Sequence, residues 1–553
     1  MKVALLSLLG AATAACGAAI SASSSATATT TSPTSSYTPV LPPKTVPTGV
    51  PVPGDYSGPL RPQLHFSPPA GWANDPNGMF RDTSGLYHFY YQHNPLEAIA
   101  ANQHWGHATS RDLYHWTNEP IALFPPNSTS GVFSGGIVID ANNTSGFFGN
   151  VTGESDNVVA IYTLNTPTDQ VQAIGYSLDG GYSFTQLDEP IIDLHTLQFR
   201  DPKIFWHAPT SLWILSVALP QDFTIAFYTS ENLREWEHAS NFTNHGLLGL
   251  QYECPNLIQV PIKGREEELV WVLYLSINPG APLGGAIGQY FIGDWNGTHF
   301  EAIDGAARIA DFAKDNYATQ FFGETAPGEA ISIAWASNWQ YGQETPTGAE
   351  GWRSSMSLPR RAYLTNATRI GPVLVSEPYQ LSTVFNSSIL EGGADSVLVN
   401  SSGVEVDFSS VPSGAVYFDL NITLPTNRTL IPKTAKLNVT FTASGSSLNE
   451  TFATGYEFGL ADGGFAWIDR GKTKGFENPF FTDKFSHASA SLAYRIEGVL
   501  DRTIFELFLD DATYSATTTL YPTSPLDGLR VVAGDMPEDA EVRLAVWGLN
   551  GTW

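Results

Sequence analysis

A polar turn leading into an aromatic residue recurs along the first two-thirds of this chain. SRDLYHW (110–116) and SENLREW (230–236) share Ser-x-Asp/Asn-Leu-x-x-Trp, while SLDGGYSF (177–184) and GDWNGTHF (293–300) play a similar part. The spacing of roughly 50–65 residues is what one four-stranded propeller blade needs. Between these turns lie short β-rich runs: LYHFYYQH (86–93), LWILSVAL (212–219), TIAFYT (224–229), LVWVLYLSI (269–277) and ISIAWAS (331–337). No long amphipathic helix interrupts them, so residues 61–370 read as all-β. At that period the region gives five blades. A set of unrelated hairpins in a sandwich is the competing reading, but a sandwich rarely needs so long a single unit.

After a stretch with fewer signals (371–390, read as a linker), VEVDFSS, AVYFDLNITL, AKLNVTFTA, RTIFELFL and EVRLAVWGL alternate apolar and polar residues. That is the pattern of half-buried antiparallel strands, so residues 391–553 predict a β-sandwich. The fold class is therefore all-β: a five-bladed β-propeller followed by a sandwich.

The chain starts MKVALLSLLGAATAACGAA, and residues 1–20 match a secretory signal peptide too short to span a bilayer. Residues 21–60 are Ser, Thr, Pro and Ala with almost no large apolar side chains, which reads as an O-glycosylated linker. Removal of Cys16 would leave Cys254 alone, so stability must come from core burial rather than disulfides. Fourteen Asn-x-Ser/Thr sequons (127, 142, 143, 150, 241, 296, 366, 386, 400, 421, 427, 438, 449 and 550) beside that leader indicate an extracellular, N-glycosylated protein. With 54 acidic and 27 basic residues, the formal charge of −27 disfavours nucleic acid and anionic membranes as partners and suits a neutral substrate.

Three acids stand in unusual company: Asp75 in WANDPNG, Asp201 in FRDPK and Glu253 in YECPNL. Asp75-Pro76-Asn77-Gly78 is good turn chemistry, and Asp-Pro is a common turn opener. Each acid, taken singly, reads at least as well as a turn former or a solvated surface group. Together they differ, because Trp72, Phe199 and Tyr252 place an aromatic near each one. A carboxylate against aromatics is partly desolvated, which raises its pKa and fits it for acid catalysis. In a propeller, strand starts converge on one mouth of the central channel. Two carboxyl groups there meet the requirement of glycoside hydrolysis, and a third could hold sugar hydroxyls. Trp72, Trp105 and Trp339 would supply apolar faces for sugar rings. HExxH, CxxC pairs, a P-loop and Gly-x-Ser-x-Gly are all missing from the sequence. His104 and His107 read as hydrogen-bonded structural histidines beside Trp105 rather than metal ligands.

The same blocks resemble glycoside hydrolase family 32, and within it the fungal invertases. WANDPNG is similar to the family's Trp-Met-Asn-Asp-Pro-Asn-Gly block, FRDPK to its Arg-Asp-Pro block and YECPNL to its Glu-Cys-Pro block, all in the family's order. FYYQHNP (89–95), QHWGH (103–107), FSGG (133–136), ASNWQY (336–341) and WRSSMSLPR (352–360) match further segments, and LDRTIFELF (500–508) matches the sandwich more weakly. The resemblance implies retaining hydrolysis of β-fructofuranosides such as sucrose, with no metal or cofactor. It implies Asp75 as nucleophile, Glu253 as general acid/base and Asp201 as transition-state stabiliser. Asn74, Gln92, Trp105, Ser134 and Arg200 fall on fructose-binding positions, and Trp72 and Trp339 would shape the pocket wall.

Two departures stand out: Ala73 replaces the family's Met, and Gly136 replaces its Ser. A roomier pocket there would favour a sugar over water as acceptor, making the chain a fructosyltransferase that builds fructo-oligosaccharides. An inulinase and a non-catalytic sugar-binding propeller are further alternatives. SLDGGYSF also resembles the Asp-box of sialidases, but no arginine cluster suits a sialic acid carboxylate. The sandwich leaves room for a homodimer.

Overall fold

A computed structural model describes residues 50–149, 156–367, 369–390, 397–398, 403–460, 463–489 and 494–553. The expected leader, most of the expected linker, and sequons Asn150 and Asn400 lie outside the described residues.

The first region is a ring of five blades, each antiparallel. Blade one holds β1 (Gly71–Arg81), β2 (Tyr87–Asn94), β3 (His104–Ser110) and β4 (Trp116–Leu123). Blade two holds β5 (Gly131–Ile139), β6 (Val158–Asn165), β7 (Gln170–Ser177) and β8 (Thr185–Gln186). Blade three holds β9 (Arg200–His207), β10 (Leu212–Leu219), β11 (Thr224–Ser230) and β12 (Glu237–Thr243). Blade four holds β13 (Tyr252–Ile262), β14 (Arg265–Ile277), β15 (Ile287–Trp295) and β16 (Phe300–Ala302), with β17 (Arg308–Ile309) also on β15. Blade five holds β18 (Tyr317–Phe321), β19 (Ala330–Trp335), β21 (Arg360–Ala367) and β22 (Gly371–Pro378). Between β19 and β21, β20 (Trp352–Arg353) crosses to pair in parallel with Gly71–Trp72 of β1.

The recurrent turns lie at equivalent places: each links the third strand of its blade to the outermost one. In blade one Ser110 Oγ accepts the Leu113 N–H at 2.8 Å and Asp112 Oδ1 accepts the His115 N–H at 2.8 Å. In blade three Asn232 Oδ1 accepts the Arg234 and Glu235 N–H groups at 3.0 and 2.9 Å. Leu113 and Leu233 take the same left-handed backbone at φ 70° and 62°. A short polar side chain that caps its own turn explains why Ser, Asp and Asn recur at these positions.

Each pair of neighbouring blades encloses an apolar core. Val132, Ile137, Ala160 and Tyr90 pack between blades one and two, and Val159, Ile161, Ile204 and Leu215 between two and three. Ile214, Phe227, Leu257 and Leu273 fill the next gap, then Val260, Val272, Ala362 and Leu364. Ile331, Ile333, Met79 and Phe89 close the ring between five and one. Both faces of a blade are therefore buried, which is why the strands read as near-continuous apolar runs.

The second region is a sandwich of a seven-stranded and a six-stranded antiparallel sheet among the described residues. Its core includes Phe418, Leu420, Phe441, Phe452, Phe505 and Leu544. A separate cluster of Leu64, Leu358, Tyr363, Tyr417, Val499 and Phe508 joins it to the propeller. Buried charges cross the same boundary. Arg360 reaches Glu506 at 2.7 Å and Asp311 at 3.3 Å, and His65 Nδ1 lies 2.9 Å from Asp501.

Two stretches read from sequence as linkers carry ordered contacts. Within 371–390, Gly371–Pro378 extends blade five and Phe385–Leu390 pairs with Glu541–Leu549. The flanking Gly, Pro and Ser residues hid two short strands. At the end of the 21–60 stretch, Tyr56 stacks on Trp553 at 4.0 Å and Thr503 Oγ1 donates to the Leu60 carbonyl at 2.8 Å.

Candidate active site

The innermost strand of each blade faces the channel: β1, β5, β9, β13 and β18, each packed on the next around the ring. All five are interrupted at the same level by a bulge. Residues 74–75 oppose Gln92 alone, 133–134 oppose Thr163, 201–202 oppose Val217, 254–255 oppose Leu275 and 318–319 oppose Ala334. Three of them carry a proline: Pro76 directly after its bulge, and Pro202 and Pro255 within theirs. Proline lacks the N–H that a regular ladder needs, so it is confined to edges and bulges. A bulge re-aims side chains, and here it turns those of three blades into the channel. Asp201, Cys254 and Ala318 take left-handed backbone at φ 64°, 51° and 50°. WANDPNG is thus not a tight turn, as Pro and Gly suggested, but a continuous strand with a bulge at Asp75.

The three acids come together with Cys254 between two of them. Carboxylate oxygens of Asp75 and Asp201 and the Cys254 sulfur all lie within 4.8 Å of one another. Cys254 Sγ is 3.7 Å from Asp75 Oδ2 and 3.6 Å from Asp201 Oδ2, and the Cys254 N–H donates to that Asp201 oxygen at 3.1 Å. Asn74 Nδ2 donates to Asp75 Oδ1 at 3.0 Å, and Ser134 Oγ donates to Oδ2 at 2.8 Å. Glu253 Oε1 accepts Arg200 Nε and Nη2 at 3.0 and 2.9 Å, while Tyr317 donates its hydroxyl to Oε2. Arg200 is itself held by Gln251 at 2.9 Å, Gln198 at 3.2 Å and Gln170 at 3.3 Å.

Electrostatics follow from this crowding. Burial and the Glu253 charge raise the Asp75 carboxyl above its ordinary range. Burial and the same Glu253 charge raise Asp201 as well. Burial holds the Cys254 thiol neutral, and burial beside Glu253 keeps the Tyr317 phenol protonated, as a donor. Arg200 is buried, yet the Glu253 carboxylate holds its guanidinium above the ordinary value. The site therefore keeps one ion pair and two acids poised toward protonation.

The aromatics beside the acids act differently from the sequence expectation. Phe199 and Tyr252 are fully buried in blade cores, because successive strand residues face opposite sides. Desolvation comes instead from the convergence of the inner strands. Trp72 is 1% exposed and donates its indole N–H to Asn74 at 2.7 Å; it backs the half-buried Trp339 at 6.0 Å, with Trp335 at 4.8 Å from the latter. Trp339 is left as the apolar wall. Trp105 is a correction: it is wholly buried, its indole N–H is spent on the Phe133 carbonyl at 2.9 Å, and it supports the Ser134 bulge rather than facing a sugar. Gln92 opposes the Asp75 bulge, and its buried Nε2 has no acceptor. His104 is bonded to the Asn102 carbonyl and His107 to His88, in keeping with structural histidines.

Nor do the two small residues enlarge the site. Ala73 is fully buried in the core between blades five and one. A Cβ on Gly136 would meet the Ile204 nitrogen at 3.2 Å and the Lys203 Cα at 3.3 Å, so this glycine lets β5 approach the β9 backbone. The structural basis expected for a transferase is gone. Sequence reasoning missed Tyr317, Lys203 and the glutamines around Arg200. DNYATQ (315–320) carries no local signature, and nothing in FRDPK marks its Lys203 as buried in the ring.

Comparison with known families places the chain. Residues 65–378 match the glycosyl hydrolases family 32 N-terminal domain and residues 387–548 match the glycosyl hydrolases family 32 C-terminal domain. The chain belongs to glycoside hydrolase family 32. Among its relatives, Invertase 2 of Saccharomyces cerevisiae is 40% identical over 484 residues, covering 84% of this chain and 90% of that protein. An extracellular exo-inulinase of Meyerozyma guilliermondii is 40% identical over 477 residues, covering 83% and 90%. The solved β-fructofuranosidase of Schwanniomyces occidentalis in complex with fructosyl-erythritol superposes with TM-score 0.82 at 36% identity, covering 90% of this chain and 99% of that one.

Proposed function

We propose that this chain is a secreted retaining β-fructofuranosidase that releases terminal fructose from sucrose and related fructosides. The observation that carries the reading is the meeting of Asp75, Asp201 and Glu253, from three blades, at one level of the channel in a chain of this family. The names of its relatives, invertase and extracellular exo-inulinase, support the substrate class and the secretion.

In this reading an Asp75 carboxylate oxygen attacks the anomeric carbon of fructose, and a C–O bond forms. The proton that the crowded carboxyls retain passes to Glu253 as sucrose enters, leaving Asp75 ionised; Glu253 gives it to the glycosidic oxygen, whose bond to that carbon breaks, and glucose leaves. Glu253 then takes a proton from water, the oxygen of which displaces Asp75 and frees fructose. Arg200 and Tyr317 hold Glu253 in place for both transfers. Asp201, anchored at Oδ2 by the Cys254 N–H, turns Oδ1 to the sugar hydroxyls and steadies the cationic ring. The open amide of Gln92 takes a further hydroxyl, and Trp339 covers an apolar sugar face.

Asp75→Ala should leave almost no sucrose hydrolysis, and Glu253→Ala should lower kcat by about 10²- to 10⁴-fold. Glucose release over time, on variants shown to be folded by circular dichroism, measures both. Full activity in the Asp75 variant would end the reading.

A further inference from the structure

A groove of about 720 Å³ lies at the end of the propeller away from the acids, where β9, β13 and β18 finish. That volume is within the range of sites that hold ligands. Its lining includes Trp206, Trp271, Phe205 and His207, and Trp206 is 39% exposed.

Asn296 stands on the rim of this groove and opens the sequon Asn296-Gly297-Thr298. Its side chain is set in one direction. Oδ1 accepts the Thr298 N–H at 3.0 Å, the His299 N–H at 2.8 Å and the Thr298 hydroxyl at 3.1 Å. Nδ2 is thereby left exposed. Gly297 has φ 102°, and a Cβ there would lie 2.6 Å from Thr210 Cγ2, so the sequon turn is pressed onto the turn after β9. Next to it, Trp295 is 7% exposed and its indole N–H has no acceptor, so a small rotation toward a sugar carbonyl would break no existing bond.

We propose that this groove is the bed of an N-linked oligosaccharide carried by Asn296, its sugar faces lying on Trp206 and Trp271. The donor is a lipid pyrophosphate-linked oligosaccharide of the secretory pathway. Asn296 Nδ2 forms a bond to the anomeric carbon as the C–O bond to pyrophosphate breaks; the amide loses one proton and the lipid pyrophosphate leaves. The proposal rests on the secretion inferred above and is independent of the catalytic assignment.

The test is site-resolved mass spectrometry on the full chain secreted from a eukaryotic host, before and after peptide N-glycosidase. Asn296 should be occupied. On the native protein its glycan should be released at least about tenfold more slowly than those at exposed sequons, the factor that about 1.4 kcal/mol of packing supplies. Denaturation should abolish the difference, and Trp206→Ser should abolish it without unfolding. An Asn296 left bare while other sequons are occupied overturns the proposal, as does a glycan released as fast as its neighbours. Protection of Trp206 from quencher by added inulin on a bare Asn296 would assign the groove to a fructan chain and equally overturn it. Absence of glycan at every sequon would overturn it too.

Discussion

Ser134→Ala isolates one hydrogen bond on the proposed nucleophile. Ser134 Oγ donates to Asp75 Oδ2 at 2.8 Å and is 2% exposed, so no water replaces it. Hydrogen bonds to a charged acceptor contribute about 1.5–3 kcal/mol. Both this bond and the one from Asn74 favour the ionised carboxylate, against burial and the Glu253 charge, which favour the protonated form. Losing it therefore raises the Asp75 pKa. At about 1.36 kcal/mol per unit the rise is about one to two pH units. A nucleophile acts as its anion, so the acid limb of the kcat/KM profile should move upward by that amount. The assay is initial-rate glucose release from sucrose across the acid range, with Ser134→Thr as the variant that keeps the hydroxyl. A uniform fall of kcat/KM with the acid limb unmoved would refute the reasoning, because it would mean that Ser134 serves the sugar and not Asp75.

The remaining predictions concern stability. Arg360→Met leaves Asp311 buried without a counter-charge and Glu506 with His65 alone, at 3.4 Å, and should cost about 3–5 kcal/mol in denaturant unfolding; an unchanged midpoint would show that the propeller–sandwich boundary does not depend on this cluster. Lys203 is buried in the channel wall with its ammonium on the Phe321 carbonyl at 2.7 Å, and burial pushes its pKa down to about 7. A cation with a lowered folded pKa is destabilising in full below that value, and the penalty lifts as pH rises toward the unfolded value. Lys203→Met should therefore gain stability relative to the parent most below pH 7, with the gain shrinking on the alkaline side; a pH-independent difference would contradict the assignment.

Much of the fold was legible because its signals are local. Ser110 and Asp112, or Ser230 and Asn232, cap turns within a few residues of themselves, so their period announces the blades. Asp75-Pro76, Asp201-Pro202 and Cys254-Pro255 mark bulges because proline removes one ladder donor wherever it sits. What was misread depended on facing. Trp105 looked like a sugar platform and is core, since strand periodicity does not say which side meets the channel. Gly136 looked like extra room and is a close approach of two backbones. Gly371–Pro378 looked like a linker because its pairing partner had to be known first.

By itself, then, the amino-acid order determined the blade period, the breaks in the inner strands and the chemistry of the side chains placed at them. Only ring closure decided that residues 75, 201, 253 and 317 share one small volume, with Arg200 and Tyr317 locked onto Glu253. That information is long-range: each side chain's pKa and bonding depend on strands far away in the chain, and they take those values only once five apolar inter-blade cores have fixed the inner strands around a common axis.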